Sequence, residues 1–244
     1  MDPRGPARRR HSFRTGRLSL VFFDIDGTLL LSGGAGLRAM TLTFEKVFGV
    51  PDAFAGITVA GHTDTFLVSQ AFTRANVPDD AAAHAQFREA YIPILAAEIQ
   101  HRGTGRRGLM PGVHALLTAL QSDPGFQAAL LTGNYEAAAQ IKLTHFGVDH
   151  FFEWGAFGEE AADRTDLGEI AMRRAHQRSI PQAALDRAVI VGDTPHDIAC
   201  ARAIGARVLA VATGMYSVAD LEEAGANVAL PDLSDIGRVI ELLR

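Results

Sequence analysis

From Leu18 onward, short apolar runs alternate with amphipathic stretches that have the length and periodicity of helices. Such alternation is typical of βα units, in which each strand is buried between helices in a parallel sheet. The runs are LSLVFFDID ending at Asp26, AALLTG ending at Gly133, GAFG ending at Gly158, RAVIVGD ending at Asp193, RVLAVATG ending at Gly214 and NVAL ending at Leu230. The pattern therefore predicts an α/β fold with a Rossmann-like parallel sheet and helices on both of its faces.

Helical candidates occupy the intervals between these runs. Their apolar residues recur every three or four positions, and several are closed by a glycine, which is common after a helix C-terminus. The predicted helices cover residues 113–121, 134–146, 165–178, 195–204, 218–224 and 235–243.

One long segment breaks the alternation, because residues 36–107 contain helical patterns and no convincing strand. Helices are expected there over residues 37–48, 63–75 and 81–100. Glycine-rich stretches at both ends of the segment suit hinges. We therefore expect a small helical cap over residues 34–107, inserted into an α/β core that is formed by residues 18–33 and 108–244.

The first 17 residues differ in charge from the rest of the chain. They carry six arginines and one aspartate, whereas the whole chain has a formal net charge of −5. We expect residues 1–17 to be a disordered basic tail without a function of its own, and we expect no nucleic-acid partner. An arm that contacts nucleic acid or an acidic surface is the alternative.

Composition bears on the compartment. The single cysteine, Cys200, cannot form an internal disulfide, which favours a reducing environment. No apolar run approaches the length of a membrane span, and two aspartates interrupt the first long one. We therefore expect a cytoplasmic protein that makes no membrane contact. The sequence does not indicate an oligomeric state.

The first apolar run ends in DIDGT, which places Asp24 and Asp26 where a strand gives way to a loop. In open parallel sheets, ligands bind outside the carboxyl ends of the strands. Alternate residues of a strand share a face, so one carboxylate could attack a substrate while the other transfers a proton. A turn-forming role is the alternative for this motif taken alone.

Two further strand ends carry groups that suit a phosphate and a cation. Thr132, Gly133 and Asn134 directly precede a predicted helix, whose N-terminal N–H groups favour an anion. The run that ends in GDTPHD adds Asp193 and Asp197 at the same edge of the sheet. Several carboxylates at one edge repel one another unless a cation lies among them, and oxygen ligands suit Mg²⁺.

The motifs DxDGT, TGN and GDTxxD, in this order, resemble those of the haloacid dehalogenase-like hydrolase superfamily over most of residues 18–214. The overall pattern is similar to its phosphoglycolate phosphatase-like members. The resemblance implies that Asp24 is the nucleophile that becomes an aspartyl-phosphate and that Asp26 is the general acid/base. It also implies that Thr132 holds the transferring phosphoryl group, and we expect Gly133 and Asn134 to bind phosphate beside it.

The resemblance further implies a bound Mg²⁺. Its ligands would be Asp24, the backbone carbonyl of Asp26, and the acidic pair Asp193 and Asp197. The implied activity is Mg²⁺-dependent hydrolysis of a phosphate monoester. A cap of about 70 residues over the strand ends favours a small phosphorylated metabolite as the substrate.

The third motif of the superfamily is a basic residue, usually lysine, and here the chain departs from the pattern. Its lysines are Lys46 and Lys142. Lys142 falls inside the helix after the TGN motif, where a solvated helix face is expected. Arg164 stands after the short run that ends at Gly158, and just before a helix, where the motif is expected. We expect Arg164 to fill this position, with a permanent charge and a planar fork for phosphate and carboxylate.

Two residues have competing interpretations. Thr194 and Pro195 fit the start of a helix, so helix capping alone could explain Asp197. His62 begins a predicted cap helix and could face the substrate, although a lone histidine is more often a surface or capping residue. We assign no catalytic role to His196.

Two alternative functions remain open. A phosphosugar mutase of the β-phosphoglucomutase type would share all the core motifs and would differ in the cap residues that hold a second phosphate. A non-catalytic phosphate-binding protein on the same fold would be expected to lack a catalytic group, and none is lost here. A dehalogenase is disfavoured because that branch lacks the second aspartate, which is present as Asp26.

Overall fold

The structure is a computed structural model that describes residues 18–103 and 105–244. The basic segment 1–17, for which we expect a disordered tail, lies outside the described residues. No helix in the described part of the chain has the length and apolar character that crossing a bilayer requires.

The strands are β1 Ser19–Phe23, β2 Leu30–Ser32, β3 Arg107–Leu109, β4 Phe126–Leu131, β5 Gly155–Ala156, β6 Val189–Gly192, β7 Arg207–Val211 and β8 Val228–Leu230. Six of them form a parallel sheet in the order β5-β4-β1-β6-β7-β8, and β2 and β3 pair separately as an antiparallel ribbon. The predicted α/β fold with a parallel sheet is therefore confirmed, and each of the six predicted runs overlaps one of its strands, although β4 begins at Phe126, before its run.

Helices cover both faces of the sheet and form a separate layer above its carboxyl edge. They are α1 Ala35–Phe48, α2 Asp64–Ala75, α3 Ala81–Glu98, α4 Val113–Ser122, α5 Glu136–His145, α6 Arg164–Gln177, α7 Gln182–Leu185, α8 Pro195–Ala203, α9 Val218–Glu223 and α10 Ile236–Leu243. A single 3₁₀ turn at Asp149–Phe151 joins α5 to β5.

The alternation of side chains along β1 explains why the sheet has two cores. Val21 and Phe23 point into the cluster formed with α4, α5 and α10, whereas Leu20 and Phe22 point into the cluster formed with α6, α8 and α9. All five residues of β1 are buried. A central strand of this kind needs apolar residues on both faces, which the sequence supplies.

The helices α1, α2 and α3 pack on a third cluster of their own, and we call residues 34–107 the cap. This cluster is rich in aromatic rings and is closed on the core side by Tyr135 and Ala138, which flank the start of α5. The chain passes between core and cap at β2 and β3, where Leu31 is paired with Gly108. The sequence did not predict this ribbon, because each strand has only three residues and lies beside glycines. The short helix α7 was also not predicted.

Candidate active site

The sheet order brings the motif residues together. Strand β1 lies between β4 and β6, so the segments that follow these three strands meet at one edge of the sheet. The carboxylates after β1 thus lie between the TGN segment and the GDTPHD segment. Arg164 reaches the same place because it begins α6, the helix after the edge strand β5.

Arg164 holds two buried carboxylates. Its Nη2 atom lies 2.9 Å from Oδ1 of Asp24 and 2.5 Å from Oδ1 of Asp197, and it also donates to the carbonyl of Leu131 at 3.2 Å. The three charged side chains are all buried. Burial raises the pKa of Asp24 to about 6, and Arg164 opposes this rise. The guanidinium group therefore offsets part of the negative charge that the fold places here.

Asp24, Asp193 and Asp197 form a compact acidic cluster. Each offers one carboxylate oxygen such that the three atoms lie within 4.8 Å of one another. Burial raises the pKa of Asp193 well above its usual range, and the neighbouring carboxylates raise it further. If all three carboxyl groups ionise, Arg164 offsets one of the three negative charges. The two that remain match in size the charge of one divalent cation.

Glycines make room for the Asp193 carboxylate. Thr28 donates its hydroxyl to Oδ1 of Asp193 at 3.0 Å. A Cβ atom at Gly27 or at Gly214 would collide with Oδ2 of the same carboxylate. Only residues without a side chain can stand at these two positions while Asp193 keeps its place.

Asp197 serves two purposes at once. Its Oδ2 atom accepts from the backbone N–H of Thr194 at 3.0 Å and from the Thr194 hydroxyl at 2.7 Å, which completes a capping box at the start of α8. Its Oδ1 atom contacts Arg164 in the acidic cluster. Helix capping and membership of the site therefore coexist in one side chain.

The TGN segment is joined to Asp26 by a hydrogen-bond network. The side-chain amide of Asn134 donates to Oδ2 of Asp26 at 2.8 Å and to Oγ1 of Thr132 at 2.9 Å. The backbone N–H of Asn134 also donates to Oγ1 of Thr132, at 3.3 Å. Because the Thr132 oxygen accepts both bonds, its own O–H proton takes no part in them.

Lys142 is the main correction to the sequence analysis. The prediction that it lies on a solvated helix face is wrong, since only 4% of the residue is exposed. Its Nζ atom lies 2.5 Å from Oδ2 of Asp26 and 2.5 Å from Oδ1 of Asn134. Arg164 and Lys142 therefore both lie in the site, and each contacts a different aspartate of the first motif.

A signal for the burial of Lys142 was present in the sequence. The buried residues of α5 are Ala138, Ala139, Lys142 and Leu143, which share one helical face. The lysine stands on the apolar face of its helix, where a charged group requires a partner.

The cap covers these groups and encloses a cavity of about 200 Å³. Its lining comes from both parts of the chain, with Asp24, Asp26 and Arg164 on the core side and Met40 and Leu67 on the cap side. The carboxylates and the basic side chains of the core thus face a largely apolar surface of the cap.

The start of α2 fastens the cap to the core. The backbone N–H of Asp64 donates to the carbonyl of Gly133 at 2.7 Å, and its carboxylate accepts from the backbone N–H of Tyr135 at 2.9 Å. The hydroxyls of Thr63 and Thr65 donate to carbonyls of the segment between β5 and α6, at 2.8 Å and 2.6 Å. Burial raises the pKa of Asp64 to about 7, and Lys142 opposes this rise.

Two residues that line the cavity were not predicted from the sequence, and the role of a third was left open. Asp64 and Tyr91 were not singled out, since a helix start and a helix interior give no sign of facing a distant motif. His62 lines the cavity, where its ring stacks on Phe66 with the ring centroids 4.3 Å apart. Burial and the neighbouring ring of His196 lower the pKa of His62, so the imidazole is favoured in its neutral form.

The chain is similar to known proteins over most of its length. The family model for haloacid dehalogenase-like hydrolases matches residues 21–202. The phosphoglycolate phosphatase of Rhodospirillum rubrum is 30% identical over 226 residues, which are 89% of this chain and 88% of that protein. The tyrosine-protein kinase PtkA of Mycobacterium tuberculosis is 27% identical over 92% of this chain and 72% of its own length. The solved structure of a predicted phosphatase from Clostridium acetobutylicum has a TM-score of 0.67 and 18% identity, over 93% of this chain and 100% of that chain.

Proposed function

Because this chain belongs to the haloacid dehalogenase-like hydrolase family and is a phosphatase of that family, we propose that it hydrolyses a small phosphorylated metabolite with Mg²⁺. The observation that carries the proposal is that Asp24, Asp26 and Asp193 line one cavity beneath the cap, with Asp197 completing the acidic cluster beside it. A single buried cysteine agrees with the proposed cytoplasmic location.

In the proposed reaction, a carboxylate oxygen of Asp24 attacks phosphorus, and the ester P–O bond breaks as the new P–O bond forms. Asp26 gives its proton to the departing oxygen. In the second half, Asp26 takes a proton from water, whose oxygen attacks phosphorus and releases phosphate and free Asp24. The hydroxyl proton of Thr132 stabilises a phosphoryl oxygen.

The basic residues divide the work in this proposal. Arg164 holds the attacking carboxylate of Asp24 in place and offsets its charge. Lys142 and Asn134 orient Asp26, because both contact Oδ2 and leave its other oxygen to move the proton. We propose this orienting role for Asn134 in place of a direct phosphate contact, since its amide already bonds Asp26 and Thr132.

The residues present fit a divalent cation. Three carboxylate oxygens lie within 4.8 Å of one another, and glycines keep the space around Asp193 open. We propose that Asp24 and Asp193 hold Mg²⁺, with the carbonyl of Asp26 and with Asp197 beside them. When bound, Mg²⁺ supplies positive charge against the phosphoryl group and the clustered carboxylates.

The cavity favours hydrolysis over the mutase alternative. A phosphosugar mutase must hold a second phosphate, which calls for a cation away from the reacting carboxylates. Among the described residues that line the cavity, the lysine and arginine side chains are Lys142 and Arg164, and core aspartates hold both. A volume of about 200 Å³ also lies below the usual range for drug-sized ligands, which suits a small substrate.

A phosphate-release assay tests the proposal. The wild-type protein should release phosphate from p-nitrophenyl phosphate or from a panel of small phosphate monoesters in Mg²⁺, and chelation should stop the release. Phosphoglycolate belongs in the panel because a relative is a phosphoglycolate phosphatase. Substitution of Asp24→Asn should lower kcat by about 10³-fold or more, because it removes the nucleophile.

The exposed Asp186 gives a matched control for that substitution, since Asp186→Asn changes the same group outside the cavity. Circular dichroism should show an unchanged fold for both variants. Absence of phosphate release by wild-type protein on every ester would exclude the enzyme function, and substantial turnover by Asp24→Asn would exclude Asp24 as the nucleophile.

A further inference from the structure

The hydroxyl group of Tyr91 is a buried polar group without a protein partner. Tyr91 lies on α3, and none of its surface is exposed. Within residues 18–103 and 105–244, no group forms a hydrogen bond with its hydroxyl. Burial also raises the pKa of this hydroxyl well above its usual value, so it keeps its proton at neutral pH. A buried hydroxyl of this kind favours a site that a ligand completes.

The aromatic packing of the cap does not explain the hydroxyl. The other rings of α1, α2 and α3 that pack in the same cluster are phenylalanines, including Phe44, Phe72 and Phe87. The Tyr91 ring stacks on Phe87 with the centroids 5.7 Å apart, as a phenylalanine could. Among these rings of α1, α2 and α3, that of Tyr91 is the one that lines the cavity, and it is also the one that carries a hydroxyl.

The hydroxyl lies close to a second donor. A Cβ atom at Gly36 would be 3.8 Å from the Tyr91 hydroxyl and 3.5 Å from Nζ of Lys142. Both polar atoms thus lie next to the same point at the start of α1, where Gly36 has no side chain. An ammonium group has three protons, and Asp26 and Asn134 accept two of them.

From this geometry we propose that Tyr91 and Lys142 form a subsite beside Gly36, which binds an oxygen acceptor on the leaving group of the substrate. The subsite deepens the proposed function and rests on it. Its chemistry selects phosphate monoesters whose alcohol carries a second oxygen, as a hydroxyl, carbonyl or carboxylate. An ester with a purely hydrocarbon alcohol leaves the two donors unpaired and is disfavoured.

A substrate series of similar size tests the subsite. The alcohol of ethyl phosphate has no oxygen besides the ester oxygen, that of 2-hydroxyethyl phosphate carries a further hydroxyl, and that of phosphoglycolate carries a carboxylate. Wild-type kcat/KM should be higher for the two esters that carry the second oxygen. Tyr91→Phe should lower kcat/KM about tenfold for those two esters, which is the order expected for loss of one hydrogen bond, and should leave ethyl phosphate unchanged.

Tyr135→Phe is the matched control. Its ring lies 6.1 Å from that of Tyr91, between centroids, but Tyr135 does not line the cavity. This variant should change the three rates equally or not at all. Lys142 is unsuitable as the probe because it also holds Asp26. Thermal unfolding should show that both variants are folded.

The outcomes separate the two proposals. If wild-type protein hydrolyses none of the three esters or p-nitrophenyl phosphate, the proposed hydrolysis of small phosphate esters itself fails. If it hydrolyses them but Tyr91→Phe alters all three alike, or none, the subsite is wrong and the function stands. A loss confined to the oxygen-bearing esters supports the subsite.

Discussion

Lys142 and Arg164 differ in how completely the protein encloses their carboxylate partners. Arg164 contacts Asp24 and Asp197, whose side chains are 7% and 0% exposed. Lys142 contacts Asp26, whose side chain is 41% exposed toward the cavity. A charge that loses its partner costs more free energy when water cannot replace that partner.

We therefore expect unequal losses of stability when each cation is replaced by methionine, which keeps an apolar chain. Arg164→Met should lower the free energy of unfolding by about 3 kcal/mol because it leaves buried carboxylates without a partner. Lys142→Met should cost about 1 kcal/mol, since water can reach Asp26. Urea denaturation without Mg²⁺ measures both. Equal losses would mean that Asp26 is as enclosed as Asp24.

Helix α2 of the cap contacts the core through a titratable group, the carboxyl of Asp64. The Asp64 carboxyl is buried, and its folded-state pKa of about 7 lies above the value of about 3.9 for an unfolded aspartate. Between these two values the folded protein keeps a proton that the unfolded chain has lost. The contribution of Asp64 to stability is thus full below about pH 4 and declines as pH rises toward 7.

The substitution Asp64→Asn removes this dependence while it keeps an oxygen that can accept from Tyr135. Relative to wild type, the variant should gain about 2–3 kcal/mol in the free energy of unfolding between pH 5 and pH 8. Denaturation of both proteins across this range tests the expectation, because other titrating groups cancel in the difference. Asp80→Asn is the control, since Asp80 also accepts a backbone N–H at a cap helix start but is exposed. A constant difference across the range would contradict the pKa shift.

The strands and helices also show which features of the fold and of the site can be predicted from the sequence. The six strands of the sheet were predictable because a buried parallel strand needs an apolar run of its own. The meeting of Asp24, Thr132 and Asp193 followed from strand ends alone. For Lys142, the apolar face of α5 indicates burial but not the partners Asp26 and Asn134, and Tyr91 could not be placed at all, because its position depends on which helix face meets the cavity. That choice is set by the packing of α3 and α5 against each other, which one helix's periodicity does not encode.

At the scale of the whole molecule, the acidic cluster exists only in the folded chain. Asp24 and Asp193 follow strands that are far apart in sequence, and the fold brings their carboxylates together. A ligand that binds the folded state alone stabilises it by mass action.

We therefore expect Mg²⁺ to raise the Tm of the wild-type protein by about 5–10 °C when its concentration is about 100 times its Kd. Asp193→Asn should abolish this rise. In chelator, the same variant should be no less stable than wild type, because burial and the nearby carboxylates disfavour the ionised Asp193. Thermal unfolding of both proteins, with and without Mg²⁺, provides the measurement. A full Mg²⁺ response in Asp193→Asn would remove Asp193 from the proposed ligands.

The ribbon of β2 and β3 has a consequence for how such a molecule can diversify. The chain leaves the core at Leu30–Ser32 and returns at Arg107–Leu109, and these two segments are hydrogen-bonded to each other. The insertion between them therefore begins and ends at one fixed junction, whatever its length or content. The cap can therefore be exchanged as a unit, and under the proposed function such an exchange would change which alcohol is accepted while the strand order and the aspartates below the cap stay as they are.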